Sequence, residues 1–377
     1  MKKSLIALAV LGATSSFAMA ASNVTLYGVI ETGIVGQKLT EGTSAQKDAT
    51  FAMKSGFDQG SRWGIKGTED LGNGYSVGFI LEQGYNSDNG TASESNKQFR
   101  REAILNVKGG FGSLAWGRTG TLSSGAQSQN ILTGWALGTG FGLSAWSSLG
   151  TNFGRVDNVI SYVTPKFDGF TIHAMYSNGL TADDAMWSEN NHYYGLGVKF
   201  QEAAIKSSLI LEAVDGKGTG SDAVTAEDLF GEDIVAAYKL DADQVITAAT
   251  ADKEKTYVVN FGFEYNLGDW TPMFAYQYTT QDGGLNAHMF GLSAKVPVAG
   301  GDVLVGARYI TGEKDKDLAT EKDVSAWNIG AAYIYPLSKR TAIKTYAGYA
   351  DGSDGWSKEA KVNYNGYQVY VGMRHSF

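Results

Sequence analysis

The stretch Tyr257-Val258-Val259-Asn260-Phe261-Gly262-Phe263-Glu264-Tyr265 decides the fold. Tyr257, Val259, Phe261, Phe263 and Tyr265 share one parity, and Val258, Asn260, Gly262 and Glu264 the other. Successive side chains of a strand point to opposite faces, so one face here is wholly aliphatic and aromatic while the other is mostly polar or small. The same period of two returns at Trp327, Ile329, Ala331, Tyr333 and Tyr335. It returns again at Pro272, Phe274, Tyr276 and Tyr278 against Met273, Ala275, Gln277 and Thr279. Helical spacing does not produce it. A sandwich alternates too, but aromatic residues placed repeatedly at strand ends beside short turns suit the girdles of a barrel in a bilayer, with glycine and polar groups turned to a wet lumen.

Composition and the N-terminus narrow the setting. Lys2 and Lys3 precede a short apolar run from Leu5 to Gly12, and Ala18-Met19-Ala20 is a small-x-small cleavage signature. Residues 1–20 therefore read as a secretory signal peptide and 21–377 as a single domain. The apolar run is too short for a spanning helix, which needs ~20 apolar residues, and no later stretch approaches that length. The 377 residues include no Cys, which excludes disulfide scaffolds, thiolate metal sites and Cys nucleophiles. A net charge of −8 is opposite to the basic footprint of a nucleic-acid binder, so no nucleic-acid partner is expected.

Connections alternate between tight and long. Tight ones include Asp70-Leu71-Gly72-Asn73-Gly74 and those near 108–112, 165–169, 267–269, 298–302 and 336–340. Long ones lie near 37–50, 86–97, 119–154, 179–191, 215–230, 312–323 and 351–361, and are rich in Gly, Ser, Thr, Asn, Asp and Lys. Short turns at one end and longer loops at the other are the asymmetry of outer-membrane barrels. Strands are expected near 23–36, 51–67, 75–85, 98–108, 112–118, 155–164, 169–178, 192–200, 205–214, 232–240, 244–251, 256–267, 271–281, 286–297, 302–311, 324–335, 341–350 and 362–377. That makes eighteen, or sixteen without the two segments spanning 232–251. The expected fold is all-β, a transmembrane antiparallel β-barrel, and either strand number encloses a lumen wide enough for water.

Four stretches give the chain a family resemblance. They are Val24-Thr25-Leu26-Tyr27-Gly28, the run from Ser61-Arg62-Trp63-Gly64 through Glu69-Asp70-Leu71-Gly72-Asn73-Gly74, the turn Leu337-Ser338-Lys339-Arg340-Thr341, and the terminus Val371-Gly372-Met373-Arg374-His375-Ser376-Phe377. Together they resemble the general porins of Gram-negative bacteria, particularly the neisserial and betaproteobacterial branch, from end to end. The resemblance implies a homotrimer of water-filled, commonly sixteen-stranded barrels, each narrowed by an inward-folded third loop, without cofactor or catalysis. It also implies that the terminal Phe377 is read by the outer-membrane assembly machinery. On that strand Tyr367, Val369, Val371, Met373, His375 and Phe377 share one face.

The connection at about 119–154 is the third long one and the longest, a candidate functional element inside an otherwise regular shell. It carries no charged residue, but it holds Trp135, Phe141, Leu143, Trp146, Phe153 and the run Gly138-Thr139-Gly140-Phe141-Gly142. A phosphate cradle would need a strand before those glycines and a helix after them, so they read instead as pivots that let the loop turn inside the barrel while its aromatics pack on the wall. General porins usually oppose acidic groups on this loop to arginines on the wall. The acidic half is missing here.

The basic half is present. Arg62 and Lys66 share a face with Gly64, opposite Trp63 and Ile65, and a charge on the lipid face costs ~2 to 4 kcal/mol at mid-depth, so both should face water. Arg155, Asp157 and Ser161 lie opposite Val156, Ile160 and Tyr162, and Arg118 ends the strand leading into the loop. In Phe99-Arg100-Arg101-Glu102-Ala103 the resemblance selects Arg101 as inward, whereas alternation with Ala103, Leu105 and Val107 leans towards Arg100. Arg308, Lys344 and Arg374 are further inward cations, and Glu264 a further inward acid. The expected pore lining is Arg62, Lys66, Arg101, Arg118, Arg155, Asp157, Glu31 and Glu82. It predicts a locally positive constriction and a weak anion preference, with carboxylates such as Asp315, Asp317, Glu321, Asp323, Asp351 and Asp354 kept in the outer loops.

Other chemistries find little support. His173, His192, His288 and His375 stand apart from one another and from carboxylate pairs, so no metal site is expected. Gly74-Tyr75-Ser76-Val77-Gly78 matches a nucleophile elbow in letters, but it follows a tight turn and opens a strand, where an elbow needs a strand-to-helix turn. The expected function is passive diffusion of small hydrophilic solutes and ions across the outer membrane, amid its lipid and lipopolysaccharide, with no enzyme activity. Two alternatives stay open. One is a substrate-specific channel for sugars or carboxylates, in which Tyr27, Tyr346 and Tyr370 would line the path. The other is a non-transporting adhesin or structural barrel.

Overall fold

Sixteen antiparallel strands close into one ring. The computed structural model describes residues 23–41, 44–45, 49–94, 96–179, 187, 190–216, 224–225, 245–247, 255–281, 285–314, 322–352 and 365–377. In chain order the wall strands are β1 (Asn23–Glu41), β2 (Arg62–Gly72), β3 (Tyr75–Gly84), β4 (Glu102–Gly109), β5 (Gly112–Gly120), β6 (Arg155–Val163), β7 (Phe170–Ser177) and β8 (His192–Glu202). The second half comprises β9 (Ile205–Asp215), β10 (Thr256–Tyr265), β11 (Thr271–Gln281), β12 (Leu285–Val298), β13 (Gly301–Lys314), β14 (Lys322–Pro336), β15 (Thr341–Gly352) and β16 (Asn365–Ser376). Each strand pairs with its neighbours in sequence, and β16 returns to β1 from Val29↔Ser376 to Thr40↔Asn365. The seam is finished by Gly28 and Phe377, whose backbone N–H and C=O groups exchange two hydrogen bonds of 3.1 Å. Closure gives every wall strand a hydrogen-bonded neighbour on both sides, which is the condition for strands to span a bilayer.

The polarity of the wall is inverted relative to a soluble protein. On β10, Tyr257, Phe263 and Tyr265 are exposed on the outside, whereas Val258 and Asn260 are buried inside the barrel. Along β16, Tyr367, Val369, Val371, Met373 and Phe377 form an exposed apolar row, and Tyr370 faces inward. Tight turns gather at one end. Between β2 and β3 the two central residues, Asn73 (φ 52°) and Gly74 (φ 80°), both take the left-handed conformation of a two-residue hairpin, which Asn and Gly tolerate best.

Two expectations are corrected. The eighteen-strand count gives way to sixteen. Of the segments near 232–240 and 244–251, the described residues Val245–Thr247 pair only with Val224–Thr225, in a two-stranded sheet apart from the ring. Short alternation is a property of any strand, and only pairing assigns one to the wall. The rest of those two segments lies outside the described residues, as do residues 1–20, where a signal peptide is expected, and the loop carboxylates Asp315, Asp317, Glu321 and Asp354. The strand expected at 51–67 is also broken. Thr50–Ser55 pairs with β1 from Gln37 to Thr32, and β2 resumes at Arg62 opposite Val29. The six residues 56–61 between them span only two positions of β1, so they bulge out of the wall.

Candidate functional site

Residues 121–154, between β5 and β6, pack against the inner wall of the barrel. Trp135, Leu137, Phe141, Leu143, Trp146 and Leu149 are buried against the inward residues Ala275, Ala287, Met289, Ala326, Ala332 and Ala350. Burying each large side chain contributes about 1.5 to 3 kcal/mol. The wall under the loop is kept small to admit it. At Gly262 an added Cβ would come within 2.0 Å of the Thr133 carbonyl oxygen, and Gly134 lies similarly close over β10 and β11. Gly142–Ser144 and Trp146–Ser148 form two short 3₁₀ turns at the loop's far side.

Wall side chains meet the loop's backbone, which has no neighbouring strand to satisfy it. The first part is held by carboxylates that accept. Glu102 takes bonds from Thr119 Oγ1 (2.7 Å), Ser128 N (3.3 Å) and Ser128 Oγ. Glu212 takes them from Ser123 N (3.3 Å) and Tyr193 OH (2.7 Å), and Glu264 from Gly134 N (3.2 Å) and Thr133 Oγ1. The later part is held by amide oxygens of Gln277 and Gln368, which accept from Thr151 N (2.6 Å) and Leu143 N (3.1 Å), and by cationic and amide donors. Arg308 Nη1 donates to Trp146 O (2.7 Å) and its Nη2 to Ser148 Oγ (2.7 Å), while Asn328 Nδ2 donates to Leu143 O (2.6 Å). The Arg308 guanidinium also lies 4.9 Å from the Trp135 ring. Charges absent from the loop are supplied by the wall behind it.

The bulge at 56–61 is a second inward element, and the loop tip docks on it. Phe141 N donates to Phe57 O at 3.1 Å. Phe57 stacks on Tyr370 with centroids 4.1 Å apart and packs near Tyr346 at 5.3 Å. Glu31 holds the bulge from below, accepting from Asp58 N (2.6 Å) and Gln59 N (3.3 Å). Lys344, fully buried, donates to Glu31 Oε2 at 2.9 Å and to Asp58 Oδ2.

Between loop and bulge on one side and the wall on the other lies a polar cavity of about 610 Å³ whose basic lining residues are Arg62, Arg101 and Arg155. Glu82 stands behind two of them, with its carboxylate 2.6 Å from Arg101 Nε and 3.4 Å from Arg62 Nε, and it accepts from Tyr27 OH at 3.0 Å. With the Gln127 amide turned so that its oxygen faces Arg155, Arg155 Nη2 and Nε donate to it at 2.8 and 3.0 Å. Among the described residues Glu82 is thus the one carboxylate that forms an ion pair with any of the three guanidinium groups.

The sequence-predicted residues divide into three sets. Arg62, Arg101, Arg155 and Glu82 come together at the cavity; Arg100 instead pairs with Glu94 and bonds Ser93 Oγ at 3.2 Å. Lys66 shares the inward face but is exposed nearer the turn end, its Nζ 5.1 Å from the centre of the Tyr27 ring. Glu31 faces inward but is sealed under the bulge. Arg118 and Asp157 do not join the cavity. Arg118 lies opposite Ala103 on the parity of Trp116 and Leu105, which are exposed on the outside, and its Nη1 pairs with Asp157, which also binds Lys97. The reason is a change of phase. Asn158 has φ 54° and the β5–β6 register slips between Gly117 and Thr119, so Val156 and Val159 both turn inward and strict alternation fails for Asp157. Sequence reasoning missed Asp58 and its bulge. The signal was the glycine pair Gly56 and Gly60 within an otherwise regular strand, a mark of broken pairing. Among the described residues no group of three or more His, Cys, Asp or Glu is placed to hold a metal ion.

Comparison with known proteins places this geometry. A family model described as Gram-negative porin matches residues 7–355. Over the full length of both chains, the sequence is 28% identical to an outer membrane porin protein of Bordetella pertussis and 29% identical to outer membrane porin protein 32 of Delftia acidovorans. It is also 28% identical over both full lengths to the major outer membrane protein P.IB of Neisseria gonorrhoeae. Among solved structures, the anion-selective porin from Comamonas acidovorans superposes with a TM-score of 0.65 at 23% identity, covering 94% of this chain and 100% of that one. OmpT of Vibrio cholerae superposes at 0.62 and 17% identity, covering 95% and 98%.

Proposed function

The chain belongs to the Gram-negative porin family, and on that premise we propose that its eyelet favours anions among the small hydrophilic solutes that an outer-membrane porin passes. One observation carries the reading: Arg62, Arg101 and Arg155 line the cavity with Glu82 as the only carboxylate paired to them among the described residues, opposite a loop without charge. Low-dielectric walls focus such a field on whatever passes, so local charge outweighs the net charge of −8. An anion entering the cavity exchanges part of its hydration for guanidinium N–H groups held in fixed directions. A cation meets the same groups as a barrier. The Comamonas acidovorans porin of similar fold is anion-selective, which agrees with this reading.

The same proposal includes assembly. A homotrimer is the expected state, Phe377 the group read by the assembly machinery, and cleavage after about Ala20 the route of export. Family membership supports all three. An unboiled sample running near the monomer on a gel would contradict the trimer. For the eyelet, the zero-current potential of reconstituted channels in a KCl gradient is the test. The sign corresponding to chloride preference is expected, and potassium preference would refute the proposal.

A further inference from the structure

Lys344 is the strongest unexplained group in the lumen. It is a cation with no exposed side-chain surface, set on β15 where nothing about the barrel wall requires a charge. Taking a lysine out of water costs several kcal/mol unless it is paired, and here the pairing is double: Glu31 Oε2 at 2.9 Å and Asp58 Oδ2. Its Nζ also sits 5.7 Å from the centre of the Phe141 ring at the loop tip. Both carboxylates stand beside the eyelet. Asp58 lines the same cavity as Arg62, Arg101 and Arg155, and it occupies the loop-tip side, facing the arginines. Glu31 lies directly beneath it, fully buried. Left alone, this pair would set two negative charges opposite three guanidinium groups, giving a transverse field that lets cations through. A lysine bound between them cancels one of the two charges and turns both carboxylates towards itself.

We infer that Lys344 determines selectivity without touching solute: it offsets the carboxylates of Asp58 and Glu31, and so keeps the charge balance around the eyelet positive. The inference rests on the anion-preferring reading and adds a residue to it. Lys344 acts through its two partners and is a positioning residue for their charge. It also explains why an acid facing the arginines is tolerated in this chain. The acid is placed on the bulge, where a lysine can reach it, rather than on the loop.

The test is the chloride-to-potassium permeability ratio, from zero-current potentials in a KCl gradient, for the full chain and three variants. Wild type must first show chloride preference; failure there sinks the proposed function itself and is thereby distinguished from failure of this inference. Lys344→Met is expected to lower the ratio roughly three- to fivefold, the effect of one uncompensated charge several ångströms from the path. Lys344→Arg, which keeps the charge, is expected to hold the wild-type ratio. The triple variant Lys344→Met, Asp58→Asn, Glu31→Gln has no buried charge left to pair, so it keeps the test open where Lys344→Met does not fold. It is expected to retain chloride preference at the wild-type level or above. A folded Lys344→Met channel with an unchanged ratio would overturn the inference. So would a triple variant that loses chloride preference, because Lys344 itself would then be the group that draws anions.

Discussion

The two sides of the lumen use charge in opposite ways. On the β2–β6 side, Arg62, Arg101 and Arg155 keep their guanidinium groups at an open cavity, lightly balanced by Glu82. On the β8–β15 side, Glu212, Glu264, Arg308 and Lys344 are turned to the loop and the bulge, where they bind backbone groups or one another. The first set acts on solutes directly and the second on the protein, with Lys344 reaching solutes only through the two carboxylates it pairs. Removing a charge from the open side should therefore change selectivity and leave the shell intact. Removing one from the packed side should loosen the loop, because a buried hydrogen bond to a charged group contributes about 1.5 to 3 kcal/mol and its orphaned partners cost more.

The largest expected effect breaks the open side altogether. Arg62→Gln, Arg101→Gln and Arg155→Gln combined leave Glu82 unopposed, and the zero-current potential in a salt gradient is expected to change sign towards cations. Next comes Arg308→Met on the packed side. It removes the guanidinium that bonds Trp146 O and Ser148 Oγ, and single-channel records are expected to show more frequent closures at high voltage with the ion preference kept. A wedge tests the same side sterically. Gly262→Val places methyl groups where the Thr133 carbonyl already lies, so the loop must shift into the lumen, and unit conductance is expected to fall measurably. The smallest effect sharpens the boundary between inside and outside. Arg118→Ala removes a cation on the outer parity of the wall, and the permeability ratio is expected to stay within about 20% of wild type, because Asp157 already offsets it and it points away from the lumen. A shift as large as that of Arg155→Ala would place Arg118 in the pore after all.

The sequence carried the barrel because alternation is local. The residues from Tyr257 to Tyr265 state which side faces lipid, and the two-residue turn at Asn73-Gly74 states where the chain reverses. Arg62 and Glu82 were legible for the same reason: each sits in an uninterrupted strand whose parity is readable. Arg118 and Asp157 were not, since the left-handed residue Asn158 and the slip near Gly117 change the phase of β5 and β6, and no periodicity reports a bulge in the residues that follow it. Arg101 precedes β4 and escapes parity, and only the family resemblance selected it. The Lys344–Glu31–Asp58 cluster joins residues up to 313 positions apart in sequence, so only closure of the ring brings them together.

On the proposed reading, anions pass the eyelet in contact with Arg101 and Arg155. Crystals of the protein soaked in bromide test it most directly, since anomalous scattering locates the ion itself. A bromide peak is expected within hydrogen-bonding distance of those guanidinium groups, between the wall and the uncharged loop. Bromide found only at the outer rim or on the barrel's exterior, with the eyelet empty, would contradict it.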